Sequence, residues 1–456
     1  MPNLTQLRLA AREIFDEALR AVDAEGAVRR AVHLGDSRLN FCEAAVDISE
    51  GRNIYSIAIG KAGPAMASGL EAVLGNQLAG GVVAGDVSAN KPAGGREMAS
   101  LSSQWQVFRG GHPEPNDQSL AAAQACFTLL ERADKERALI VFLISGGGSA
   151  MMEWPINESI TLADLRAANK TLVGCGASIS EINAVRRGFS AVKGGRLAAR
   201  ALHCDQITLI ISDVRTGEEQ EVASGPTLPP AEYRPDPHEV INRYDLRSRL
   251  PETILRAIEA GAQPPEGDPT SLRKHFVLLD NNSALAAAAE AAKRRGFVTE
   301  IATDISDQPI EPGCAQLLRK LESFHASTST QDSADSVCLI SGGEFTCPIK
   351  GDGIGGRNQE TALRLARART PGSSGSEHFV ALCAGTDGID GNSPAAGAIV
   401  DSTTIDRAQA IGLDPADSIE RSDAYSFFVA LGDVIATGAT GTNVRDVRIL
   451  IQGRSR

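Results

Sequence analysis

The chain has 456 residues, of which 42% are hydrophobic and 22% charged, with 45 glycines and a formal net charge of −12. That length exceeds what one hydrophobic core organises, so two α/β domains are expected, and an acidic chain without a basic run excludes nucleic acid or an anionic membrane as its partner. Its eight cysteines form no CxxC pair and its seven histidines no HExxH spacing, which excludes the familiar zinc sites and fits reduced thiols in a cytoplasm.

At the N-terminus, Leu7, Ala11, Ile14, Phe15, Ala18, Leu19 and Val22 fall on one face of an amphipathic helix rather than in a signal-peptide core. No apolar stretch reaches the ~20 residues that span a bilayer. Short β-rich runs then alternate with helical stretches: Ile54 to Ile59, Gly81 to Ala84, Leu139 to Ile144, Ile207 to Ile211, Phe276 to Leu279, Val337 to Ile340, Phe379 to Leu382 and Val447 to Ile451. The alternation predicts an α/β fold with largely parallel sheets. Prolines crowd residues 225–237 and forbid a continuing helix or central strand there, so the domain boundary is expected near 240. This gives an N-terminal Rossmann-like domain over 1–240 and a C-terminal domain over 241–456. Polar stretches at 325–336 and 370–377 read as surface loops of the second domain.

Two strand ends carry related text, LISGGGSA at 143–150 and LISGGEFT at 339–346, and open α/β sheets bind ligands at the carboxyl ends of their strands. In the first, Ser145, Gly146, Gly147, Gly148 and Ser149 can form an anion nest, or simply a tight turn. Gly60 and Lys61 follow the strand that begins at Ile54 and end it in a GKAG turn, where a lysine can hold a phosphate or merely face solvent. GxxxxGK[ST] and protein-kinase signatures are absent, and the G-x-S-x-G elbow of a serine hydrolase is broken at Met151.

Arg186 and Lys193, seven apart, share one helical face if the helix continues, and suit a carboxylate or phosphate; the alternative is a solvated basic face. Asp213 follows a strong apolar strand, where it can hold Mg²⁺, orient a hydroxyl, or only cap a helix. In the second half, the glycine-rich run 351–356 leads through Gly356, Arg357 and Asn358 into a helix whose N-terminus favours anions. Asp387 and Asp390 stand three apart among glycines without the DxDxDG spacing of a calcium loop.

Read in order, AIGKAG, GGHPEPNDQS, LISGGGSA, EINAVRR with SAVKGGRLA, ISDV with ASGPT, SGGEFT, GGRNQE, GTDGIDG and TGTNVRDVRIL resemble the glycerate 2-kinase family, also called the MOFRL family, over roughly residues 50–450. The resemblance implies two α/β domains with the active site in the cleft between them. It further implies ATP and Mg²⁺ as cosubstrates, and D-glycerate phosphorylated at the C2 hydroxyl to give 2-phosphoglycerate. Lys61 and Arg357 map onto the family's active-site lysine and arginine. With Asp213 they are the expected catalytic set, with Asp213 and Asp387 as metal ligands, Arg186 and Lys193 on the substrate, and Gly60, residues 145–149, Gly356 and Asn358 on the nucleotide phosphates. A homodimer is compatible with this reading.

Three stretches depart from the family's text: Asn116 stands where an aspartate is common, Gly188 where a histidine often follows VR, and VRTGEE where ISDV is commonly followed by a different residue and an acidic pair. The alternatives are a kinase for a related hydroxy acid, a non-catalytic binding protein, and an NAD(P)H-dependent hydroxypyruvate reductase. The last needs a GxGxxG turn with a distant acidic residue, and none is visible.

Overall fold

A computed structural model of the chain describes residues 3–48, 51–85, 101–229, 231, 234–261, 271–328, 336–369 and 378–453. The expected loop at 370–377 and most of the one at 325–336 lie outside these residues, as do three positions of the proline-rich stretch. The chain divides into two compact units. One holds the described residues between Ala24 and Leu279, and the other holds those up to Asp23 and from Asp280 onward.

The first unit opens with a small antiparallel sheet of β1 (Val32–Leu34), β2 (Arg38–Phe41) and β3 (Ala44–Asp47). Its main sheet comprises β4 (Ile54–Ile59), β5 (Leu78–Ala84), β6 (Trp105–Phe108), β7 (Leu139–Ser145), β8 (Asp205–Ile211) and β9 (Arg273–Leu279), all parallel, in the order β6-β5-β4-β7-β8-β9. Renumbered from β4, this is the 3-2-1-4-5-6 order of the doubly wound nucleotide-binding fold. β4 and β7 are buried along their whole length, as parallel strands covered on both faces require. On one face Tyr55, Ile57, Ile59, Ile140, Phe142 and Ile144 pack against Ala122, Cys126 and Leu130 of the helix Asp117–Glu136. A separate helical cluster joins the helix Ile179–Phe189 to two later helices through Val185, Phe189, Ile241, Ile254 and Ile258.

The boundary expected near residue 240 is corrected. That position lies inside the helix Pro237–Arg243, and the chain returns afterwards to add β9 beside β8. Prolines interrupt a helix or strand locally, but strand pairing across sixty residues decides which sheet the next segment joins.

The second unit carries β10 (Val298–Ile301), β11 (Ser336–Gly343), β12 (Phe379–Gly385), β13 (Gly397–Asp401), β14 (Val434–Ile435) and β15 (Asp446–Gly453), ordered β10-β11-β15-β12-β13-β14. Only β10 and β11 run parallel; the other neighbours are antiparallel. The expectation of largely parallel sheets therefore holds for the first sheet and not for the second, because β15 enters between β11 and β12 from the chain's end. The helix Leu4–Ala21 belongs to this unit: it packs on the helix Asn281–Arg294, and Arg8 bridges Asp401 at 2.6 Å and Asp433 at 2.5 Å. Among the described residues no helix is long and apolar enough to cross a membrane.

Candidate functional site

In a 3-2-1-4-5-6 sheet the strand order reverses between β4 and β7, and the crevice at their carboxyl ends is the preferred ligand position. Here that point brings the GKAG turn and the GGGS loop together. The Lys61 amide donates to the Gly146 carbonyl at 2.9 Å, and the Ala62 amide donates to Ser145 Oγ at 3.0 Å. Gly60 has φ +109°, and a Cβ there would lie 2.3 Å from the Ser145 carbonyl oxygen, so only glycine permits this approach. A Cβ on Gly146 would lie 1.8 Å from Asp213 Oδ2 at the end of β8. Gly147, at φ +78°, faces Lys61 Cγ and the His112 ring. Lys61, Asp213, Gly147 and Ser149 are all partly exposed.

Their neighbours in the loop serve other purposes. Ser145 is fully buried; its hydroxyl accepts from Ala62 and donates to the Ile59 carbonyl, tying β7 to the GKAG turn. Gly148 is packed against Ile59 and Ala223. Of the nucleotide-phosphate residues expected here, Gly147 and Ser149 keep a surface for a ligand, while Gly60, Ser145, Gly146 and Gly148 shape the backbone.

Behind the loop runs a buried polar network. Ser149 Oγ meets Ser224 Oγ at 2.8 Å, and Ser224 Oγ donates to Asn183 Oδ1 at 2.7 Å. Ala223 and Ser224 both have positive φ, +52° and +61°, a conformation costing roughly 1 kcal/mol or more per non-glycine residue and held only where the surroundings over-determine it. Asn183 Nδ2 donates to Glu221 at 2.8 Å, and the same carboxylate pairs with Arg187 at 2.8 Å. Glu221 belongs to the acidic group that follows Asp213 in the sequence, whereas nothing in the sequence marks Asn183 or Ser224. The ASGPT text that holds Ser224 was visible, but a serine after an alanine carries no local signal of the strained backbone that aims it.

The two expected substrate residues differ in fate. Arg186 is buried, its Nε donating to Asn169 Oδ1 at 3.0 Å, and burial lowers its pKa to about 10 although Glu153 opposes the shift. Lys193 is corrected: the helix ends at Phe189, so it shares no face with Arg186, and its side chain, 1% exposed, pairs with Glu153, also 1% exposed. Glu153 further accepts from Ser190 Oγ at 2.5 Å. Burial lowers the Lys193 pKa against the pull of Glu153. Lys193 is thus the buried counter-charge of Glu153.

Gly188 is fixed by packing. A Cβ there would lie 2.8 Å from Ile258 Cγ1, so the histidine common in the family's text would fit only if the Ile258 side chain moved. Gly188→His is expected to destabilise the protein by about 1–3 kcal/mol through overpacking, read as a lower unfolding midpoint; an unchanged midpoint would show that Ile258 yields freely.

In the second unit Arg357 opens the helix Arg357–Ala368. Its Nε donates to Asp446 Oδ2 at 2.7 Å and its Nη2 pairs with Glu344 at 2.7 Å, yet the side chain stays 35% exposed. Burial opposes its charge, but Asp446 and Glu344 outweigh this and raise its pKa. A guanidinium held by two carboxylates presents a fixed positive charge. The helix N-terminus is already occupied: the amides of Asn358 and Gln359 donate to the Asp390 carboxylate at 3.0 and 2.8 Å, and a Cβ on Gly356 would strike Asp390. Gly356 and Asn358, expected on a phosphate, are therefore engaged by Asp390. The glycine-rich run before them is tied down, with Gly353 donating to the Arg421 carbonyl and Gly355 to Asn392 Oδ1. Asp387, partly exposed, accepts from the Ile389 amide at 3.1 Å.

Asp390 is 2% exposed, and burial pushes its carboxyl up to about 7 despite the two amide donors. A raised folded pKa means the native state binds a proton that the unfolded chain has released, so its contribution is full below about pH 4 and lost as pH rises through about 7. Relative to Asp390→Asn, the wild type should lose unfolding free energy between pH 4 and pH 7, as measured by denaturant titration. Parallel pH profiles would contradict the shift.

A family model described as a domain of unknown function (DUF4147) matches residues 10–259, and the MOFRL family model matches residues 337–446. The glycerate kinase of Rattus norvegicus is 33% identical, covering 97% of this chain and 92% of its own. The D-glycerate 2-kinase of Thermotoga maritima is 32% identical over 97% of this chain and 98% of its own. A relative from Agrobacterium vitis, provisionally named a hydroxypyruvate reductase, is 34% identical over 99% of this chain and 96% of its own. The crystal structure of glycerate kinase from Thermotoga maritima superposes with a TM-score of 0.75 at 29% identity, covering 98% of this chain and 99% of that one.

Proposed function

The chain belongs to the glycerate 2-kinase family that carries the DUF4147 and MOFRL domains, and from that premise we propose that it transfers the γ-phosphoryl group of ATP to the C2 hydroxyl of D-glycerate. The products are 2-phosphoglycerate and ADP. The observation that carries this reading is the near full-length similarity to proteins named as glycerate kinases, in sequence and in fold. The meeting of Lys61, Gly147, Ser149 and Asp213 at the switch point of the first sheet supports it.

Phosphoryl transfer asks a protein mainly for positioning and charge neutralisation. Lys61 holds phosphate charge from a turn whose backbone is fixed by Gly146 and Ser145. Gly147 lets the chain pass close to the phosphates, and Ser149 is held in place by Ser224. Arg357 supplies a charge that its carboxylate partners keep oriented, and Arg186, fixed by Asn169, offers positive potential toward the glycerate carboxylate.

Asp213 fits a Mg²⁺ that arrives with the nucleotide, because such a metal is held by phosphate oxygens and water with one or two carboxylates. Phosphate oxygens and water would supply most of the remaining ligands. Bound there, Mg²⁺ neutralises phosphate charge. Asp387 is the second candidate carboxylate. We place this activity in the cytoplasm, in keeping with eight cysteines that form no CxxC pair and with the reduced thiols of that compartment.

Incubation with ATP, Mg²⁺ and a panel of hydroxy acids, and separately with NADH and hydroxypyruvate, tests the reaction class. ADP formation that depends on D-glycerate is expected, with no NADH oxidation. NADH consumed without ATP use would replace the kinase by the reductase, and faster ADP release with another hydroxy acid would change the acceptor.

A further inference from the structure

The first unit holds a cavity of about 240 Å³, lined by Arg187, Arg196, Arg234, Asp236 and His238, with Gly188 in its wall and none of Lys61, Gly147, Ser149 or Asp213 among its lining residues. Its charge is lopsided. Three guanidinium groups and an imidazole face one carboxylate, and Asp236 already accepts the His238 amide as the cap of the helix Pro237–Arg243. Like charges converge here closely enough that burial, Arg234 and Arg187 together lower the Arg196 pKa.

Arg187 is 5% exposed. Its Nε donates to the Ser224 carbonyl, and its Nη2 donates to the Gln220 carbonyl and to Glu221. Nη1 is buried without a partner, which leaves a charged donor unsatisfied beside a cavity that its own side chain lines. Arg196 spends Nη1 on the carbonyls of Arg187, Ser190 and Lys193, so its backbone contacts lock the guanidinium in the wall. Arg234 is exposed at the rim. A buried arginine with a spare donor, a second locked by carbonyls and a third at the mouth form a built receptor for an anion with several acceptor oxygens.

We infer that this cavity binds a small phosphate-bearing anion, either inorganic phosphate or a compact phosphomonoester, at a site separate from Lys61. The volume lies below the ~300 Å³ at which drug-sized pockets begin, which favours a small occupant over a whole nucleotide. This site does not depend on the kinase reading, since its residues and charge stand whatever the reaction at Lys61.

The imidazole resonances of His238, assigned with His238→Gln, report on the cavity directly. Titrating inorganic phosphate at fixed pH and ionic strength, with chloride as the control, should move the His238 signals saturably while chloride does not. Arg234→Glu, at an exposed position, should weaken phosphate at His238 by about tenfold or more, as loss and reversal of a charge-assisted contact require. Lys61→Ala should leave the His238 titration unchanged. His238 signals that ignore phosphate, move equally with chloride, keep their affinity in Arg234→Glu, or lose their response in Lys61→Ala would each overturn the assignment.

Discussion

Lys61→Ala is expected to lower kcat by about a hundredfold or more while the protein stays folded. Lys61 sits on the turn after β4, and the contacts that build this turn come from its amide, from Ala62 and from Gly60, backbone donors bonded to Gly146, Ser145 and Ala84 respectively. Removing the side chain therefore leaves the turn's own hydrogen bonds in place. What is lost is a positive charge at the point where the nucleotide-binding sheet reverses its strand order, and one such charge-assisted contact to a transferring phosphoryl is worth roughly 3 kcal/mol in the transition state. The fall should appear in kcat more than in the KM for D-glycerate, because the contact strengthens as charge develops on the phosphate. Arg357→Ala should act in the same direction but also free Asp446 and Glu344 from their partner, so its unfolding midpoint must be measured alongside. A folded Lys61→Ala protein with near wild-type kcat would return Lys61 to the role of a surface lysine.

Lys193→Met should produce the largest loss of stability among these substitutions, about 3–5 kcal/mol. Both members of the Lys193–Glu153 pair are 1% exposed. Removing the cation leaves the Glu153 carboxylate buried with only Ser190 Oγ and the Trp154 amide as donors, and an uncompensated buried charge carries that penalty. Replacing both residues, Lys193→Met with Glu153→Gln, should recover much of the loss, because a neutral amide no longer needs a counter-ion. Denaturant titration of the single and double variants measures this. A single variant with wild-type stability and a raised KM for glycerate would restore Lys193 to the substrate site.

The eight β-rich runs read from the sequence all lie within observed strands, because continuous apolar stretches such as Ile54 to Ile59 and Leu139 to Ile144 bury both faces of a parallel sheet. The main-sheet strands not read from the sequence include the edges Trp105–Phe108 and Val298–Ile301 and the buried interior strand Gly397–Asp401. Trp105–Phe108 is an edge with two exposed residues, and Val298–Ile301 is only partly buried throughout. The N-terminal helix joins the second unit, where it packs on the helix Asn281–Arg294 and Arg8 reaches Asp401 and Asp433, pairings across 393 and 425 residues that no local pattern encodes.

The site was legible to a similar degree. Lys61, Gly147, Ser149 and Asp213 come together because residues at the carboxyl ends of parallel neighbours must do so once the strand order is set. The roles of Lys193 and Asn358 were not legible, since burial and prior commitment to Glu153 and Asp390 arise only from tertiary packing. A basic residue in a motif looks the same whether it faces a ligand or an internal carboxylate. The cap on the helix at Arg357 illustrates the point: the helix terminus that favours an anion already has one, supplied by Asp390 thirty-two residues later in the chain.

The central claim is tested most directly by phosphorus and proton NMR of the product formed from ATP, Mg²⁺ and D-glycerate. The account predicts ADP and a phosphomonoester coupled to the C2 proton, that is, 2-phosphoglycerate, formed by the wild type and nearly absent with Lys61→Ala. A phosphoester at C3, or no phosphorylated glycerate at all from folded wild-type protein, would contradict it.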